Sequence, residues 1–346
     1  MTSFDRAVTT RTLADLTRRG GGARWSPAKR PGFKEWFHFA LSTADVDLLV
    51  NFSVTVEDIA GAPSPRARLV VLGSAESDWS GGVVQAGAGF RCEAGDLSLV
   101  MGSDGFWFED GVFQLSARVP GAEVDLMLRP VTLPALVRNV DLGAPEPLHW
   151  SICPRLVASG RCRFGDKEHS LRDVPAYHDH NWGAFVWGAD FSWEWGFCLP
   201  HDLDCPWSVT FVRMRDRSRE RVRTACVFLW RGAMQKRVFR GPEVTVTRSG
   251  LLRASGVPTF PRVMQLLVPG PATDVPRVLK VSAARAGDEL RVVFEPDSVA
   301  RIAVPHDKAP GVTLIQEAAG RFAVDGTVDG ERVRFSGRTT VEFLHG

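Results

Sequence analysis

The chain has 346 residues, 44% hydrophobic and 24% charged, with 42 basic against 40 acidic side chains and a formal charge of +2. That is the composition of a globular protein, long enough for two cores of roughly 150 residues each. The even charge balance offers no basic face for nucleic acid, and no run approaches the roughly 18 consecutive apolar residues of a transmembrane helix.

Taken in order, residues 4–19 predict a short helical arm, with Leu13 and Leu16 as its apolar contacts and Gly20-Gly21-Gly22 as its stop. Charges run through residues 1–30 without an apolar core, so the expectation is a cytoplasmic chain with no secretory leader, whose membrane contact, if any, is peripheral. From Trp25 onward helical periodicity nearly vanishes. Short runs rich in Val, Phe, Leu and Trp follow: Trp36–Leu41, Asp47–Glu57, Ala67–Gly73, Gly89–Glu93, Leu97–Met101, Phe106–Glu109, Val112–Val119 and Glu123–Pro130. Gly81-Gly82 and Gly87-Ala88-Gly89 read as turn glycines, and residues 131–140 as a short helix or an irregular crossing. Strands resume at His149–Val157 and Gly160–Phe164. Trp207–Asp216 and Glu220–Trp230 read as a hairpin around Arg217-Ser218, the arginines from Arg213 to Arg223 lying on a solvated tip. Gln235–Arg240, Glu243–Ser249, Val278–Ala284 and Glu289–Glu295 follow, and Asp329-Gly330 joins the last pair, Ala319–Val328 and Glu331–Phe343, as a two-residue hairpin turn.

Many short strands at this spacing predict an all-β protein of antiparallel sheets, closed as barrels or packed as sandwiches. We divide it into an N-terminal arm (1–22), a first β domain (23–188) and a second (189–346). A cleft between barrels, or a barrel mouth, is where such a fold takes a small hydrophobic molecule. The six cysteines form no C-x-x-C pair and read as free thiols.

Chemistry concentrates in Tyr177-His178-Asp179-His180-Asn181-Trp182-Gly183 and in Phe191-Ser192-Trp193-Glu194-Trp195-Gly196-Phe197. Tyr177 is the only tyrosine of a chain with 21 Phe and 11 Trp. In an extended run Tyr177, Asp179 and Asn181 share one face and His178, His180 and Trp182 the other, while Trp193 and Trp195 share a face opposite Glu194. A buried Asp179 would hold its proton to higher pH, and indole faces suit a carbocation. Glu194 is either a second acid or a paired strand carboxylate. His178 and His180 could share a metal, but no third ligand is evident, so no metal is expected.

With Glu35-Trp36-Phe37-His38 and His149-Trp150, the central motif resembles the carotenoid 1,2-hydratase (hydroxyneurosporene synthase) family and its wider lipocalin-like relatives, which include stress-survival proteins and Diels–Alderase-type cyclases. The resemblance covers the chain from about residue 33 onward, although Phe37-His38 replaces the family's Trp-Tyr. It implies two lipocalin-like β domains and cofactor-free addition of water to an isolated alkene of a polyene or terpenoid. Carried over, Asp179 would be the proton donor, with Tyr177, His149 and Trp150 around it. Trp36, His38, His178, His180, Asn181, Trp182, Trp193, Glu194 and Trp195 are the candidate substrate-binding residues. A pericyclase on the same scaffold, or a non-catalytic carrier of a lipid-like ligand, are the alternatives.

Overall fold

The computed structural model describes residues 9–87, 89–144, 146–187, 191–254, 256–266, 274–308 and 310–345. The chain folds into two antiparallel sheets, the all-β architecture expected. The first begins with the meander β1 (Phe33–Ser42), β2 (Val46–Ile59), β3 (Ala62–Ala75) and β4 (Asp78–Ala86). It continues through β5 (Phe90–Arg91), β6 (Ser98–Met101), β7 (Asp104–Glu109), β8 (Val112–Val119) and β9 (Ala122–Pro130). It closes with β10 (Ala135–Val140), β11 (Leu148–Phe164) and β12 (Lys167–Ala184). The strand order is β4-β3-β2-β1-β12-β11-β9-β8-β7-β6-β5, so β12 runs between β1 and β11 at the centre. The sheet curls until Gly82 of β4 lies against Pro120, where a Cβ would meet the Pro120 carbonyl at 2.9 Å.

The second sheet holds β13 (Phe191–Cys198), β14 (Trp207–Asp216), β15 (Val222–Arg231), β16 (Met234–Arg240) and β17 (Val244–Ser249). β18 (Thr259–Phe260), β19 (Val278–Arg285), β20 (Asp288–Pro305), β21 (Val312–Val328) and β22 (Glu331–His345) complete it. Its order is β16-β15-β14-β13-β22-β21-β20-β19-β17, with β18 parallel to β20. The change of sheet falls between Ala184 and Phe191; residues 188–190, on which the expected boundary lies, are outside the described residues.

Alternation along the strands produces three apolar clusters. In β1, Phe37, Phe39 and Leu41 point into a core enclosed by the first sheet, with Phe52, Phe106 and Phe113. Phe211, Leu229, Phe294 and Phe343 build the equivalent core of the second sheet. The opposite faces meet in a third cluster, where Ala40, Trp150 and Tyr177 of the first sheet pack on Trp195, Phe197 and Phe228 of the second. Each fully buried ring contributes roughly 1.5–3 kcal/mol, so this junction is a core in its own right. It is also pinned by Arg338 of β22, whose Nε donates to Asp47 of β2 at 2.9 Å and whose Nη1 donates to Asp297 of β20 at 2.6 Å.

Several sequence expectations change. The helix is Thr10–Gly21, capped by the Thr9 hydroxyl on the Thr12 amide; residues 4–8 lie outside the described residues. Leu16 is exposed, and Gly21 sits inside the helix against Leu97. Residues 135–140 are a strand, not a helix. β9 pairs only with residues 156–164 of β11, and β10 covers the edge that remains at residues 148–152. Gly81-Gly82 lie within β4: a Cβ on Gly81 would fall 2.0 Å from the Val71 carbonyl, so glycine is there for close strand approach and not for a turn. Ala88 is outside the described residues. All six cysteines are free, and only Cys205 is not fully buried. No helix among the described residues is long and apolar enough to cross a membrane.

Candidate active site

The centre of the site is the face of β12 that looks away from the first core. Pairing sets Asp179 opposite His38 of β1 and Ile152 of β11, and Asn181 opposite Trp36 and Trp150. Tyr177, Asp179 and Asn181 therefore project into the junction between the sheets. The Asp179 carboxylate is 3% exposed and receives three donors. Trp150 Nε1 donates to Oδ2 at 2.8 Å, Tyr177 Oη donates to the same oxygen at 2.9 Å, and Asn181 Nδ2 donates to Oδ1 at 2.8 Å. Burial pushes the pKa of Asp179 up to about 7; the charge of Glu342 adds to this, while the three donors pull the other way. Tyr177 stacks on Phe197 with ring centroids 4.9 Å apart and meets the edge of Trp195. Burial, and then the adjacent carboxylate, raise its own pKa.

Two cavities open on this face. The larger, of about 220 Å³, lies between Trp36, His38, Leu49, Asn51 and Val70 of the first sheet and Trp193, Ile302, Ile315, Glu317 and Glu342 of the second. The smaller, of about 40 Å³, reaches Trp150, Asp179, Asn181, Trp195 and Met214. Both are lined by Trp36, His38, Trp193 and Glu342, which makes them two lobes of one cleft between the sheets. His38 stands against Trp195, and burial lowers its pKa to about 3, so the ring is neutral. Its Nε2 is buried without a hydrogen-bond partner among the described residues.

Of the candidate residues, the cleft thus gathers Asp179, Trp150, Asn181, Trp36, His38, Trp193 and Trp195, with Tyr177 buried behind Asp179. It does not gather the others. His178 and His180 point into the first core, as the alternation requires. His178 stacks on Phe39 and its Nδ1 meets the His38 carbonyl at 2.9 Å. His180 stacks on Phe37, and its Nε2 lies 2.6 Å from Glu35 Oε1. The Glu35 carboxylate also accepts the amides of Arg24 and Trp25, both at 2.6 Å, so this buried pair clamps the entry of the chain onto the barrel. Among the described residues no group of three His, Cys, Asp or Glu side chains could hold a metal ion. Trp182 stacks on His149 on that same far face, beneath the Arg24 guanidinium, so His149 does not reach Asp179.

Glu194 faces the second core. Burial alone would raise its pKa, but Arg213 and Arg215, bonded to it at 2.7 and 2.8 Å, hold it below the ordinary value. It is a paired carboxylate with no proton to give. Arg213 and Arg215 are therefore not on a solvated tip.

The feature that sequence reasoning missed is Glu317 and Glu342. They are direct cross-strand partners on β21 and β22, Glu317 buried and Glu342 half-buried, and both line the larger lobe. A signal existed: pairing outward from the Asp329-Gly330 turn without a bulge sets Glu317 opposite Glu342.

No family model and no curated protein matches the chain. Solved structures do resemble it in fold. An AttH-type protein of Nitrosomonas europaea superposes with a TM-score of 0.63 at 16% identity, over 93% of this chain and 98% of that one. Kievitone hydratase of Nectria haematococca gives 0.57 at 13% identity, over 92% and 91%. CghA gives 0.61 at 12% identity, over 94% and 92%, and has also been solved with Sch210972. Similarity over nine-tenths of each chain shows that the lipocalin-like two-sheet fold is shared.

Proposed function

We propose that this chain is a cofactor-independent enzyme that adds water to an isolated carbon–carbon double bond of a hydrophobic terpenoid or prenyl-bearing substrate, with Asp179 as the acid. The observation that carries this is a carboxyl buried in an aromatic cleft, its pKa raised to about 7, fixed by three donors. Protonating an unactivated alkene requires a neutral acid held away from water, and burial supplies the neutral form. The Asp179 proton forms the new C–H bond at the less substituted carbon, leaving a tertiary cation. Trp36, Trp150, Trp193 and Trp195 surround that position, and each indole face is worth roughly 0.5–2 kcal/mol to a cation. Water then forms the C–O bond and releases a proton, giving a tertiary alcohol. A 220 Å³ lobe is smaller than the roughly 300–1,000 Å³ of pockets that enclose a drug-sized ligand. It suits a prenyl group or a chain end better than an entire carotenoid. The fold shared with kievitone hydratase is compatible with this reading.

A second reading, a cyclase of a natural-product pathway, is favoured by one feature: Nε2 of His38 in the cleft, which has no partner among the described residues, could hold a substrate carbonyl while the walls fold the chain. Incubation of prenylated phenols and short acyclic terpenoids in ¹⁸O-water and in heavy water separates the two. Hydration yields an alcohol with one solvent oxygen and one carbon-bound deuterium, both lost in Asp179→Asn. An isomer of unchanged mass means cyclisation, and binding without product means a carrier.

A further inference from the structure

Hydration leaves a proton to be removed from the attacking water, and Asp179, a carboxylate once the alkene is protonated, is one base that can take it. Two further carboxyls stand in the same cleft. Glu317 and Glu342 oppose each other across the β21–β22 ladder and both line the larger lobe, Glu317 buried and Glu342 half-buried. Glu342 also lines the smaller lobe together with Asp179. Trp193 Nε1 donates to Glu342. No donor among the described residues reaches either oxygen of Glu317. Two directly opposed carboxyls, one buried and one half-buried, repel each other's charge, so the pair keeps one proton between them. The indole N–H favours charge on Glu342. Burial and the Glu342 charge push Glu317 well above the carboxylate range, so Glu317 is the protonated partner and can donate to Glu342.

We infer that Glu342 is the general base of this site: it accepts the proton of the water that attacks the cation, and the protonated Glu317 positions it. This rests on the hydratase reading. The balance is complete. The Asp179 O–H bond breaks as the C–H bond forms, the water oxygen bonds to the cationic carbon, and one water O–H breaks as Glu342 is protonated. Asp179 is then a carboxylate and Glu342 an acid, and the proton returns from one to the other. The smaller lobe, at about 40 Å³, has room for a water to carry it, since a water needs only ~10–15 Å³ of such volume. Before the reaction the charge on Glu342 also helps Asp179 retain its proton. The other titratable side chains on the larger lobe do not compete for the role. His38 is neutral, Lys34 is paired with Asp307, Arg68 reaches Gln85, and the Glu35 carboxylate is taken up by the Arg24 and Trp25 amides and His180.

The test uses the full chain, a dimethylallyl-substituted phenol and a short acyclic terpenoid as probes, in heavy water and ¹⁸O-water. Glu342→Gln is expected to form alcohol ~10²–10⁴-fold more slowly, the span of a lost general base. It should still protonate the alkene, so deuterium appears in recovered alkene or in its double-bond isomer. Glu317→Gln should cost only about tenfold, because its amide still donates to Glu342. Wild-type turnover should be bell-shaped in pH, since Asp179 must be protonated and Glu342 ionised; Glu342→Gln should lose the acidic limb. If Glu342→Gln does not fold, Glu342→Asp carries the same test with the carboxylate withdrawn by one methylene. Near wild-type alcohol formation by the Glu342 variant overturns the inference. So does loss of deuterium incorporation together with alcohol, which would make Glu342 only a support for the Asp179 proton. A wild type inert toward every probe, or an active Asp179→Asn, removes the hydratase reading itself, and the base with it.

Discussion

Asp179→Asn should make the protein more stable as it makes it inactive, and the size of the gain follows from the site. Below about pH 4 this carboxyl is protonated in the folded and the unfolded chain, and contributes no difference. As pH rises past the ordinary value of 3.8 the unfolded chain ionises, while the folded chain keeps its proton to about pH 7. Each unit between costs the folded state about 1.4 kcal/mol, so the full burden above pH 7 is ~4 kcal/mol. Asparagine mimics the neutral acid. Its oxygen can accept from Trp150 and Tyr177, and Asn181 can turn its amide to accept from the new Nδ2. At roughly 1–2 °C per kcal/mol for a chain of this length, the melting temperature should rise by ~4–8 °C at pH 8.5. The gain should shrink steadily toward pH 4.5. Paired thermal melts of wild type and variant across that range measure it. A variant no more stable than wild type at pH 8.5, or a gain independent of pH, would refute the claim that Asp179 is a strained, proton-holding acid.

Tyr177→Phe removes one donor from the Asp179 carboxylate, so the pKa of Asp179 should climb further; the alkaline fall in rate should move to higher pH while turnover drops by about 10²-fold, read from a pH–rate profile. Arg338→Met strands Asp47, which is 2% exposed and already pushed up to about 6 by burial against the pull of Arg338. It should destabilise by ~3–5 kcal/mol above pH 6 and less below it, and Asp47→Asn in the same chain should recover most of the loss in thermal melts. Thiol titration of unreduced, denatured protein should find six thiols. In the native state at pH 8 only Cys205 should react promptly, because burial raises Cys92, Cys153 and Cys162 to about 12 and Cys226 to about 11; rapid labelling of Cys153 would contradict the buried geometry.

The legible part of the site was the part written in strand alternation. Tyr177, Asp179 and Asn181 are two residues apart, and a period of two puts them on one face whatever surrounds the strand. The same rule puts His178 and His180 on the other face, and no spacing within the run says which face meets the cleft. That is decided by β1, whose phenylalanines claim the inner side and leave Trp36 and His38 outside. Glu317 escaped because the strand was begun at Ala319. Gln316 and Glu317 precede that start yet lie inside β21, where partners on both sides, β20 and β22, bury them. The long strands β12 and β20 were likewise truncated or passed over at their prolines. Pro296 sits where the β20–β21 ladder shifts register, so the strand survives a residue that cannot donate, and Pro175 pairs with Val157 in the short stretch between two shifts of the β11–β12 ladder.

The outer meander has a consequence for how such a protein can change. Leu49 and Asn51 on β2, with Val70 on β3, line the larger lobe, while their immediate neighbours Val50, Phe52, Leu69 and Val71 fill the first core. Inheritance can therefore rewrite the guest-facing letters of these strands while leaving the foldable ones untouched. Asp179, the acid we propose, arrives on a different strand, β12, and is held by Trp150 of β11, so reshaping what enters need not disturb it. A library confined to residues 49, 51, 53, 70 and 85 would sample new guests on an intact scaffold.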